Sequence, residues 1–113
     1  MKIAVTSQNF RTITGHAGKT RRFLVYSDGE NGELIEHERI DLPKEMSMHE
    51  FKGGFHPVFE ADVLITAGCG QGFIRKMAGH NVQVIATSES DPQTAAKAVI
   101  AGQSLPPAEP HEH

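Results

Sequence analysis

ADVLITAGCGQGFIRKM, residues 61–77, is an apolar run that ends in three glycines at alternate positions and continues into a helix-like stretch. Residues 62–67 read as a buried strand. Residues 72–78 read as a helix packed through Phe73, Ile74 and Met77 and ended by Gly79. A strand that enters a helix through bare backbone points main-chain N–H groups at one spot, and that spot favours an anion. Gly68, Gly70 and Gly72 make GxGxG rather than the GxGxxG of dinucleotide sites. They admit close approach of a ligand, or else serve only the tight turn. The only cysteine, Cys69, lies inside this turn. A thiol there moves the expected ligand from plain phosphate towards a species that contains a metal.

Upstream, residues 2–7 alternate Ile3 and Val5 with polar neighbours, as a strand does. This start is too short and too regular for a signal peptide. Residues 22–27 hold the nearly continuous apolar run of a central strand. Asp28-Gly29 and Asn31-Gly32 are hairpin turn signals, and residues 33–41 are polar enough for a sheet edge. Between Pro43 and Ala61 the pattern is ambiguous. Phe51, Phe55 and Phe59 recur every four residues, Gly53-Gly54 interrupts them, and Pro57 suits a first helical turn; one short broken helix or two is expected. Downstream, residues 81–87 form a fifth strand. Asp91 caps a last helix, Pro92 takes its first position and Gly102 stops it.

The order β-β-β-α-β-α-β-α predicts an α/β fold. Three antiparallel strands and two right-handed parallel crossovers give a five-stranded mixed sheet of order 3-2-1-4-5, with strand 2 antiparallel to the rest and helices on both faces. This is the ribonuclease H-like topology. It makes strands 1 and 4 parallel neighbours. Their carboxyl ends then carry the loop of residues 8–20 and the glycine turn, where open α/β sheets bind ligands. Residues 1–102 make one domain, and residues 103–113, with three prolines and two histidines, read as a mobile tail that buries nothing.

The 113 residues carry a net charge of −3, against a general nucleic-acid binder. No apolar run approaches the ~20 residues of a membrane span. One cysteine excludes an internal disulfide and paired CxxC motifs, which makes a reducing cytoplasm the simplest setting. Residues 1–27 hold five basic side chains and no acid, whereas the remainder holds six basic and fourteen acidic ones. The basic set gathers around residues 8–20, either as a solvated loop or as an anion-facing rim. Gly15-His16-Ala17-Gly18-Lys19-Thr20 resembles the end of a P-loop, but Ile13 replaces its first glycine and a strand follows.

His16 lies in the basic loop at the expected crevice. His49 and His56 lie in the ambiguous helical region beside Met46 and Met48, a thioether pair that more commonly fills core. His37 and His80 read as surface residues. A two-magnesium nuclease needs carboxylates on strand 1 and at the end of strand 4; strand 1 has none, and strand 4 has only Asp62 at its start. A Cys69–His16 nucleophile pair is geometrically possible but lacks an evident orienting residue.

Met1-Lys2-Ile3-Ala4-Val5, Gly15-His16-Ala17-Gly18 with Phe23-Leu24-Val25-Tyr26, the glycine turn, and the close on residues 91–102 together resemble the dinitrogenase iron–molybdenum cofactor biosynthesis family. Where that family usually shows His-Phe-Gly, this chain has His16-Ala17-Gly18. The resemblance implies a non-enzymatic carrier that holds an iron- or molybdenum-containing metal–sulfur cluster and passes it to an assembly or acceptor protein. The histidine, the glycine and the glycine-rich turn carry over from that family; together with the loop readings above, the expected contacts are Arg11, His16, Gly18, Lys19, Gly68, Cys69, Gly70, Gln71 and Gly72, with His16 as the first metal ligand, Cys69 the second on its chemistry alone, and His49 or His56 a third. Two other classes stand beside it: a regulatory module for a small anionic or phosphorylated metabolite, and a Cys69-dependent hydrolase or transferase.

Overall fold

The computed structural model describes residues 1–47 and 56–108. Its strands are β1 (Lys2–Thr6), β2 (Arg22–Asp28), β3 (Leu34–Asp41), β4 (Val63–Thr66) and β5 (Gln83–Ala86). Its two α-helices are α1 (Gln71–Ala78) and α2 (Pro92–Ile100). The sheet order is β3-β2-β1-β4-β5, as the sequence predicts. β2 runs antiparallel to β1 and β3, while β4 runs parallel to β1 and β5. Ile3 and Val5 stand opposite Tyr26 and Leu24 on one side and Val63 and Ile65 on the other.

Alternation along the strands divides the core between the two sheet faces. Ile3, Val5, Leu24, Tyr26, Val63 and Ile65 pack against Ala95 and Ala96 of α2. Ala4, Phe23 and Leu64 pack against Met77 of α1, with Val58 and Ala61. Each helix therefore covers one face. Burying each such branched or aromatic side chain is worth about 1.5–3 kcal/mol, which fixes β1 and β4 side by side. Asp91 caps α2 by accepting from the Thr94 N–H at 2.9 Å and the Thr94 hydroxyl at 2.5 Å.

Several local expectations are corrected. Where a helix was expected before β4, the described parts are short 3-10 turns, Lys44–Met46 and Pro57–Glu60. Met48, His49, Phe51, Gly53, Gly54 and Phe55 lie outside the described residues. Gly79 follows α1 with an ordinary right-handed φ of −63°, and Asn81 supplies the left-handed turn at φ 62°. β3 carries a bulge: its pairing steps from Glu38 to Glu36 while β2 advances one residue, leaving His37 unpaired in the ladder. The segment after α2 does bury surface. Leu105 packs on the α2 side of the core, and the Thr87 hydroxyl donates to the Pro106 carbonyl at 2.6 Å. Thr87 and Pro107 form an isolated antiparallel bridge beside β5.

Candidate functional site

β1 after Lys2 and β4 throughout are apolar until their last residue, and both end in threonine. Thr6 and Thr66 are fully buried side by side, with hydroxyl oxygens 2.9 Å apart. Beyond them the chain leaves the sheet as the loop of residues 7–21 and the turn of residues 67–70. Several hydrogen bonds join the two. The Ala67 N–H donates to the Thr14 carbonyl at 3.1 Å, and the Ala17 N–H donates to the Gly68 carbonyl at 3.2 Å. A Cβ placed on Gly15 would stand 3.7 Å from the Gly68 nitrogen, so the backbones are in near contact. The basic loop and the glycine turn thus meet at one edge of the sheet.

Side chains give the loop its shape. Asn9 Oδ1 accepts from the N–H groups of Arg11 and Thr12, both at 2.8 Å, and closes a tight turn. Gln8 Oε1 accepts from the Arg21 and Arg22 N–H groups at 3.3 Å and ties the loop's start to its end. His16 precedes the 3-10 turn Ala17–Lys19 with φ 56° and ψ 50°. Phe10 also holds a positive φ, 58°. Left-handed backbone at an ordinary L-residue costs about 1–2 kcal/mol, so the loop holds strain at two positions.

An open depression of ≈420 Å³ is walled by Gln8, Thr14, Gly15, His16, Lys19 and Thr20. Its size falls within the range of small-ligand sites. His16 and Lys19 are exposed in it. Arg22, one of the five basic side chains of residues 1–27, is committed elsewhere: it donates to the Gln8 carbonyl at 3.0 Å, lies 3.4 Å from Asp41 and sits over the Phe10 ring at 5.7 Å. Arg39 flanks the same ring at 5.7 Å. Arg11 is exposed outside the walls.

At the glycine turn, Gly70 precedes α1 with φ −84° and ψ 165°. The first N–H groups of an α-helix have no intrahelical acceptor, so those of Gln71, Gly72 and Phe73 point outward. Among the described glycines only Gly32 and Gly102 have positive φ. A Cβ on Gly18, Gly70 or Gly72 would meet nothing within 4 Å. At these three positions neither backbone conformation nor protein packing demands glycine. What their small size leaves is open space; Gly70 and Gly72 are exposed, and none of Gly18, Gly68, Gly70, Gln71 and Gly72 is among the depression's walls.

The expected ligand set does not assemble as a whole. His56 is fully buried. Its Nδ1 accepts from the Val58 N–H at 3.1 Å, which leaves the proton on Nε2, facing the Met46 carbonyl at 2.6 Å. Both ring nitrogens are used, and desolvation pulls the imidazole pKa below its ordinary value. His56 is a structural histidine that caps the Pro57–Glu60 turn, and it is removed from the metal set. His49 lies outside the described residues. Cys69 is half-buried and is not one of the depression's walls. Burial pushes its thiol pKa up, opposite to the lowered value expected of a helix N-terminus. Among the described residues, no three His, Cys, Asp or Glu side chains are placed to hold a metal ion. His37 and His80 are exposed as expected; His37 Nε2 meets the Ser27 hydroxyl at 2.6 Å, and His80 stacks on Phe59 at 3.7 Å.

Sequence reasoning missed Gln8, Thr14, Gly15 and Thr20 as walls and the Thr6–Thr66 pair that joins the loops. The threonine pair had a signal: a hydroxyl at the carboxyl end of each of two apolar strands that the topology makes neighbours.

The family model described as "Dinitrogenase iron-molybdenum cofactor" matches residues 1–102. No curated protein sequence matches the chain. Among solved structures, the protein PH0822 superposes with a TM-score of 0.70 at 18% identity, covering 93% of this chain and 96% of that one. A "putative NifB protein" from Thermotoga, of the DUF35 family, gives 0.58 at 16% identity, covering 99% and 97%. A "putative dinitrogenase" from Methanocaldococcus jannaschii gives 0.63 at 14% identity, covering 94% and 97%. At these identities the structures establish the shared fold. No described helix is long and apolar enough to cross a membrane.

Proposed function

Because the chain belongs to the dinitrogenase iron-molybdenum cofactor family, we propose that its crevice holds an anionic iron- or molybdenum-containing metal–sulfur cluster as cargo, without turning it over. The observation that carries this reading is the set of glycines at 18, 70 and 72. Each leaves open space that a side chain would fill, with no conformational need for glycine. An anion held between the two loops would meet the N–H end of α1 and the charge of Lys19. His16 offers an imidazole, a borderline ligand suited to iron and related metals. The strain at His16 fits a residue kept for its side chain rather than for its backbone.

Cys69 is a secondary contact: it is half-buried and outside the depression's walls, and burial raises its thiol pKa, which makes it a poor nucleophile. That opposes the hydrolase or transferase reading. A phosphorylated metabolite would use the same N–H groups and Lys19 and could take a hydrogen bond from the His16 imidazole, so the two readings part on metal retention. The cluster would pass to an acceptor protein, and no membrane or nucleic acid takes part. The test is anaerobic cluster transfer to wild-type and His16→Ala protein, read as metal content after gel filtration. Wild type should retain the cluster and the variant should lose most of it. Equal retention would remove His16 from the site, and retention of a sugar phosphate instead would favour the metabolite.

A further inference from the structure

We infer that Thr6 and Thr66 are positioning residues for the crevice: their buried hydroxyl pair clasps the His16 loop to the glycine turn. The inference rests on the crevice being the anion site. Both residues are fully buried at the carboxyl ends of adjacent parallel strands. Valine has nearly the same shape and would fill both places without desolvating a hydroxyl, so packing alone does not account for threonine. The hydroxyls instead face the two loops. Thr6 Oγ1 donates to the Thr14 carbonyl at 2.6 Å. Thr66 Oγ1 lies 3.2 Å from the Thr14 carbonyl and 3.2 Å from the Gly68 carbonyl. It also accepts from the Gly68 N–H at 3.4 Å. Thr14 stands two residues before His16, and Gly68 two before Gly70.

Two hydroxyls bring two protons to four acceptor directions: the Thr14 carbonyl, the Gly68 carbonyl, each other, and the Ile65 carbonyl, 3.5 Å from Thr6 Oγ1. With Thr6 donating to Thr14, the Thr66 proton serves either Thr6 or a loop carbonyl. With Thr6 donating to Thr66, the Thr66 proton must serve a loop carbonyl. Only with Thr6 donating to the Ile65 carbonyl and Thr66 to Thr6 does the pair miss both loop carbonyls, and in every arrangement the Gly68 N–H still bonds Thr66 and holds the turn. The clasp therefore fixes how far His16 stands from the N–H end of α1 before any ligand arrives. Such preorganisation raises affinity by removing the ordering penalty from the binding step.

The test uses Thr66→Val and Thr66→Ser with tetrathiomolybdate, a molybdenum–sulfur dianion, under anaerobic conditions. Amide exchange is followed by NMR in parallel. Thr66→Val should bind about tenfold more weakly, with Thr66→Ser restoring affinity to within about threefold of wild type. In Thr66→Val the Ala17 and Gly68 amides should exchange faster while the Leu64 amide in mid-strand stays protected; general destabilisation would instead speed all three together. Wild-type affinity in Thr66→Val overturns the proposal. So does wild-type exchange at Ala17 and Gly68 as fast as at Gly70. If Thr66→Val does not fold, that wild-type exchange pattern decides. If wild type binds no tetrathiomolybdate, the anion reading fails, and the exchange comparison still decides the clasp.

Discussion

Gly72→Ala separates a glycine kept for a ligand from one kept for the fold. Gly72 is the second residue of α1, its φ is not positive, and an added Cβ would meet nothing within 4 Å. Glycine is about 0.8–1 kcal/mol less favourable than alanine inside a helix, and the difference shrinks towards an end. Alanine also narrows the unfolded ensemble. The ligand-free variant should therefore be more stable by about 0.5–1 kcal/mol, which raises Tm by about 2–4 °C in a domain of this size. The same methyl group occupies the space into which an anion must come to reach the α1 N–H groups. Affinity for tetrathiomolybdate should fall about tenfold, equivalent to ~1.4 kcal/mol. Urea or thermal unfolding gives the first number and anaerobic titration the second. A lower Tm would show that glycine serves the turn itself, and an unchanged affinity would show that no ligand approaches there. Either result refutes the argument from open glycines.

Two further predictions concern protonation. His56 has a folded-state pKa below its unfolded value, so its contribution to stability is present above the unfolded pKa of ~6.5 and is lost as pH falls towards the folded value. Its own slope reaches at most about 1.4 kcal/mol per pH unit. In an NMR titration its ring resonance should keep the neutral position at pH values where a free imidazole is already protonated; titration alongside free imidazole would contradict this. Cys69, with its thiol pKa raised by burial, should react with iodoacetamide at pH 7.5 more slowly than free cysteine, and faster reaction would restore it as a nucleophile candidate.

The sheet was legible because its signals are local and mutually consistent. Hairpin dipeptides set the β2–β3 meander, and two strand–helix units forced parallel crossovers that place β4 beside β1. The Asp91–Pro92 start of α2 was legible for the same reason, since one side chain and one ring specify it. The region around His56 was not. A helical spacing of aromatics was visible, but whether a histidine serves as ligand or turn cap depends on long-range burial and on the Met46 carbonyl ten residues away. Cys69 failed similarly: the turn was read correctly, but the burial that sets its thiol pKa comes from tertiary packing. Leu105 shows the limit of composition, because one apolar side chain among prolines is enough to fold the segment back onto the core.

The most direct test of an anion held between the two loops is an amide chemical-shift map of the wild-type protein, recorded anaerobically as tetrathiomolybdate is added. His16, Lys19, Gln71 and Gly72 should shift together in one saturable process. The hairpin residues Gly29 and Gly32, at the opposite end of the sheet, should not move. Shifts centred on the hairpin or on β3, or no saturable shift at His16 and Gly72, would contradict the assignment of the crevice as the binding site.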